Sequence, residues 1–130
     1  MPHALDGKYR VTSISDYKGP LQKKSDGITE IIGGRTDRID SAGCHWTSSF
    51  NVLNEREVEM VSVADPTEAD ANFLLTRPDG SPSKDPVTYT ATLRLARKGE
   101  QIQMSGQIAY GLDVVFLTMR KIMDEAGTPL

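Results

Sequence analysis

Between Val87 and Leu95 every second residue is apolar: Val87, Tyr89, Ala91, Leu93 and Leu95 are separated by Thr88, Thr90, Thr92 and Arg94. Successive strand side chains point to opposite faces, so this alternation predicts a strand with one buried and one wetted face. The pattern resumes with Ile102, Met104, Ile108 and Tyr110 set against Gln101, Gln103, Ser105 and Gln107. Arg97-Lys98-Gly99-Glu100 between the two runs has hairpin length and a glycine. Together they predict an antiparallel hairpin with Leu93 and Met104 inside.

The same period recurs along the chain. Trp46, Ser48, Phe50 and Val52 alternate with His45, Thr47, Ser49 and Asn51, and Asn54-Glu55-Arg56 turns the chain into a strand over Val58–Val63. Lys8–Ile14 reads as a first strand and Ile28–Ile32 as a second, ended by Gly33-Gly34. Arg35–Asp40 is a short third, Asn72–Thr76 a weaker candidate, and Gly111-Leu112-Asp113 leads into a last strand over Val114–Ile122. About eight or nine short strands at this spacing predict an all-β meander closed into a barrel. Asp65–Asp70 is acidic and is expected to hold one helical turn, and Arg77–Pro86, with three prolines and a glycine, an irregular connection. Met123–Leu130 is expected to form a short terminal turn or loose tail.

Composition narrows the function classes. The 130 residues suffice for one domain with one core, and neither loop leaves enough chain on both sides for separate cores. Fifteen Lys and Arg against eighteen Asp and Glu give a net charge of -3, which disfavours nucleic acid as a partner. No apolar run approaches the roughly 18 residues of a membrane helix, and the first residues contain no leader-like apolar stretch. A cytoplasmic protein without a membrane partner is therefore expected. The single cysteine, Cys44, excludes an internal disulfide.

Three segments carry a family likeness. Asp6-Gly7-Lys8-Tyr9 opening an alternating run, Gly27-Ile28 through the paired Gly33-Gly34, and Leu93–Lys121 with Ile102-Gln103-Met104-Ser105-Gly106 inside it follow in order over most of the chain. In these features the sequence resembles the GrlR-like family, small bacterial lipocalin-like β-barrels whose namesake is a negative regulator of type III secretion. The resemblance implies a lipocalin-like barrel and, as one version of its function, a regulatory protein partner. The namesake's partner contact is a run of four acidic residues. Asn54-Glu55-Arg56-Glu57 departs from that pattern, because Arg56 interrupts the charge.

The candidate chemistry is sparse. Cys44-His45 is the one adjacent soft-ligand pair, but with His3 the only other histidine a zinc site lacks ligands. Neighbours in a strand face opposite ways, which also rules out a Cys44–His45 nucleophilic dyad. Gly33-Gly34 lacks the context of a phosphate loop, and Asp65, Glu68 and Asp70 lack the glycine and distal glutamate of an EF-hand loop. The alternating charges of Arg35–Asp40 read as a solvated edge. No Asp, Glu or His falls convincingly on an inward face. Tyr9, Tyr89 and Tyr110 are the inward polar candidates, and a tyrosine is a poor base. No catalytic residue, metal or cofactor is therefore assigned.

What remains is the barrel interior. Trp46, Phe50, Tyr89, Met104 and Phe116 are its expected large residues. Ser13, Ser48, Ser62, Ala91, Gly106 and Thr118 are small or polar neighbours in register with them. Small residues at one level either leave room for a ligand or only fit the taper of the barrel. The candidate cavity is thus Trp46, Ser48, Phe50, Tyr89, Ala91, Met104, Gly106 and Phe116. The last strand is apolar on both faces. With Phe116 inside, Val115, Leu117 and Met119 would lie outside and form a homodimer interface. The expected function is a non-enzymatic binding module holding a small apolar ligand or a protein partner. The alternatives are a small-barrel enzyme acting on an apolar molecule and a structural or assembly protein.

Overall fold

The computed structural model describes residues 4–15, 24–39, 42–110 and 113–123. Ten strands follow in order: β1 (Gly7–Ser15), β2 (Lys24–Ile31), β3 (Arg35–Ile39), β4 (His45–Asn54), β5 (Glu57–Asp65), β6 (Leu75–Thr76), β7 (Pro82–Ser83), β8 (Val87–Lys98), β9 (Gln101–Tyr110) and β10 (Asp113–Lys121). Eight of them form one antiparallel sheet in the order β2-β1-β10-β9-β8-β5-β4-β3. The expected meander barrel is what folds, and it is nearly closed, consistent with a lipocalin-like architecture. The first and last long strands close it, with Tyr9 opposite Lys121 and Ser13 opposite Leu117.

The remaining strands, β6 and β7, pair as a two-residue ladder at the start of the proline-rich connection, Leu75 opposite Ser83 and Thr76 opposite Pro82. Only Leu75 and Thr76 of the weak Asn72–Thr76 candidate are strand. The acidic loop makes hydrogen-bonded turns instead of a helix: the Ala69 amide reaches the Pro66 carbonyl at 3.0 Å, and the Asp65 carboxylate caps Thr67. Those Thr67 bonds hold the exposed Asp65 carboxyl below its usual range. The β8–β9 turn is tighter than expected, since the strands run on to Lys98 and from Gln101. The expected turn at 111–112 and the tail beyond Met123 lie outside the described residues.

The meander is interrupted at one place. β2 and β3 are consecutive in sequence, yet they are the two ends of the sheet and meet only around their connecting turn. Gly33 and Gly34 have φ of +61° and +78° there, the left-handed pair that a two-residue hairpin turn of type I′ requires. Beyond the Ile32–Arg35 bridge no ladder joins the two strands.

Inside, β8 supplies the clearest face: Val87, Tyr89, Ala91, Leu93 and Leu95 are buried and their neighbours exposed. Tyr9, Ile31, Val58, Leu93, Met104 and Ile108 are almost wholly out of water. Burial of each such side chain favours folding by about 1.5–3 kcal/mol.

Candidate ligand-binding cavity

The strand registers sort the inward residues into rows. Directly opposed residues of antiparallel neighbours share a face. Thr36 of β3 lies opposite Ser48 of β4, Ser48 opposite Ser62 of β5, and Ser62 opposite Tyr89 of β8. Four hydroxyl side chains thus form one row across four adjacent strands. Ser48 Oγ and Ser62 Oγ are 2.7 Å apart, and Tyr89 donates its hydroxyl to the Thr76 carbonyl at 2.6 Å. Burial, and secondarily Cys44, pushes the Tyr89 hydroxyl above its ordinary pKa, so it is a donor and not a base.

The next row toward one end carries Arg38 opposite Trp46. The Arg38 guanidinium lies 5.6 Å from the centre of the indole, and the indole stacks on Tyr89 with centroids 5.9 Å apart and planes 21° from parallel. On the other side of the hydroxyl row come Phe50 and Met60, also opposed. The far wall is built by β1, β9 and β10 and is apolar: Val11, Ile108, Val115, Leu117 and Met119, with Ser13 among them.

Between these walls lies a cavity of about 1410 Å³ that extends to β2 and β3, the end strands of the described sheet. Its lining includes Trp46, Ser48, Phe50 and Tyr89 from the sequence-derived set. The other four candidates are placed elsewhere. Ala91 and Met104 are buried but pack in the filled part of the core, away from the cavity. Gly106 leaves no void, because a Cβ there would stand 2.8 Å from Leu93 Cδ2 and 3.0 Å from the Thr92 carbonyl. Its missing side chain lets Leu93 lie across it.

Phe116 is the clearest correction. It is 47% exposed on the outer surface, opposite Ile14, whereas Val115, Leu117 and Met119 line the cavity. The register of β10 against Tyr9, Val11 and Ser13 sets this parity. A dimer interface built on Val115, Leu117 and Met119 is incompatible with their place inside the barrel. Thr118, opposite Thr12, likewise shares the outward face with Phe116. The side chain of Tyr110 lies outside the described residues.

Two further candidates behave as strand geometry dictates. Cys44 is fully buried and His45 is exposed beside Asp37 at 3.8 Å, so the two do not meet. Tyr9 is buried and donates to the Leu5 carbonyl at 2.7 Å. Sequence reasoning missed the inward Thr36 and Arg38. Their alternation on β3 was present, but the charges around them suggested a fully solvated edge.

Fold and cavity together define a small antiparallel β-barrel with an interior chamber open along one seam. Comparison with protein-family models, with curated proteins and with solved structures finds no match. Among the described residues no helix is long and apolar enough to cross a membrane.

Proposed function

We propose that this protein is a non-enzymatic binding module that takes up a small, largely apolar molecule between its β2–β3 seam and its β1–β9–β10 wall. The observation that carries the reading is the cavity itself: about 1410 Å³, with one wall of Val11, Ile108, Val115, Leu117 and Met119. Ligand pockets of soluble proteins are typically 300–1,000 Å³ and mostly apolar, with a few polar groups that fix orientation; this chamber, which runs out to the seam, is larger, and the wall facing its apolar side is polar. The hydroxyl row and Trp46 supply those polar and aromatic elements here. Burial raises the pKa of both Tyr9 and Tyr89, which leaves them as hydrogen-bond donors and supports binding over proton-transfer chemistry. A regulatory role, as the GrlR-like resemblance implies, would use the same ligand-holding barrel.

The test is a titration with Nile red, an uncharged apolar dye. Saturable one-to-one binding with a blue-shifted dye emission and a raised melting temperature is expected, and Leu117→Phe, which fills the cavity from β10, should weaken it. Non-saturable dye uptake that Leu117→Phe leaves unchanged would contradict the proposal.

A further inference from the structure

Resting on the reading of the cavity as a ligand site, we infer that its ligand is an amphipathic anion, with its charged head against Arg38 and the Thr36–Ser48–Ser62 hydroxyls and its apolar body along the β10 wall. Arg38 is the observation that points there. Of the charged residues bordering the cavity, its register opposite Trp46 gives it the inward parity. Arg35, opposite Ser49, and Asp37, opposite Thr47, belong to the outer face of β3, and Glu30, opposite Lys8, to the outer face of β2. Asp37 is further engaged outside, accepting from Thr47 at 3.0 Å.

Arg38 therefore brings one positive charge to the open side of the chamber, with no carboxylate against it among the described residues. Its guanidinium lies over the face of Trp46, 5.6 Å away, and among the described residues its N–H groups have no hydrogen-bond acceptor. A planar fork of this kind matches a carboxylate or phosphate with two parallel hydrogen bonds. One row deeper, the Thr36 hydroxyl has no hydrogen-bond partner among the described residues. The Ser48–Ser62 pair spends one of its two protons on itself and keeps the other for a ligand oxygen. Donors thus converge from β3, β4 and β5 on one wall. The facing wall offers Leu117, Met119 and Val115, which suit a hydrocarbon chain. A ligand with both parts satisfies both walls, while a purely apolar one leaves these donors without acceptors.

Dodecanoate and dodecanol share a chain and differ in the head, so they separate the two claims. Each is titrated as a displacer of Nile red from wild type, Arg38→Gln and, as an outer-face control, Arg94→Gln, with circular dichroism confirming that the variants fold. Wild type and Arg94→Gln should bind dodecanoate about tenfold or more tighter than dodecanol, the usual worth of a charge-assisted hydrogen bond. Arg38→Gln should erase that preference while leaving dodecanol within about twofold of wild type. Equal affinities in the wild type, or a preference that survives Arg38→Gln, overturn the anionic head and leave the cavity reading standing. Failure of both molecules to displace the dye overturns both.

Discussion

The Asp6 carboxylate accepts a hydrogen bond from the Gly34 amide at 2.9 Å, and a second from Gly33 at 3.0 Å. Residues 28 positions apart are thereby joined at the point where β2 and β3 part. The two glycines need positive φ for the turn, and Asp6 satisfies the amides that the turn exposes. This bond anchors the seam of the barrel to its first strand. Asp6→Ala should cost about 1–2 kcal/mol in urea unfolding and speed hydrogen exchange at the Gly33 and Gly34 amides. Unchanged exchange at both amides would show that Asp6 does not hold the turn.

The two faces of β10 give opposite predictions for neighbouring residues. Phe116 lies outside against Ile14, so Phe116→Ala should cost less than about 1 kcal/mol, the worth of a cross-strand pair. Leu117 lines the cavity, so Leu117→Glu places an unpaired carboxylate among apolar side chains and should cost about 2 kcal/mol or more. Chemical denaturation of both variants decides it, and a reversed order of cost would put Phe116 back inside.

Gly106 and Leu93 occupy the same space. Gly106→Ala should destabilise by about 1–3 kcal/mol, because its new methyl meets Leu93 Cδ2 and the Thr92 carbonyl. Leu93→Ala should cost about 2–5 kcal/mol on its own, since Leu93 is fully buried. Removing the Leu93 side chain relieves only that part of the clash, so the double variant should be less destabilised than the sum. Additivity within about 0.5 kcal/mol would mean that the two do not touch.

Tyr9 makes stability depend on alkaline pH. Desolvation by burial, opposed by Arg97 and aided by Asp6, pushes its pKa up from 10.0 to about 12. In the unfolded chain the phenol ionises near its ordinary value, so the native state binds the extra proton between the two. The contribution is fully present below about pH 10 and is lost as pH rises toward 12. Tyr9→Phe should flatten the stability profile across that window, as measured by urea midpoints. An equally steep decline in the variant would assign the effect to another group.

Legibility followed chemistry. β8 could be read residue by residue because its outer face is Thr88, Thr90, Thr92 and Arg94, which left one choice of inner face. β10 could not, because Val114, Val115, Phe116 and Leu117 offer apolar groups to both sides, and an aromatic inside is the natural guess. Its parity is set by pairing with β1, a relation between positions more than 100 residues apart. The hydroxyl row was legible only in part: Ser48, Ser62 and Tyr89 alternate onto inward faces, but their alignment with Thr36 in one row appears only once three registers are fixed. Arg38 looked like one charge of a solvated edge. Its stacking on Trp46 depends on a pairing that neither strand shows alone.

The central claim is that the interior accepts an apolar chain beside Trp46, the single tryptophan. Titration with 12-bromododecanol tests this directly, because bromine quenches indole emission only at contact distance. Saturable quenching of Trp46 at one molecule per chain, weakened by Leu117→Phe, is expected. Emission that stays constant, or falls linearly without saturation as free tryptophan does, would contradict it.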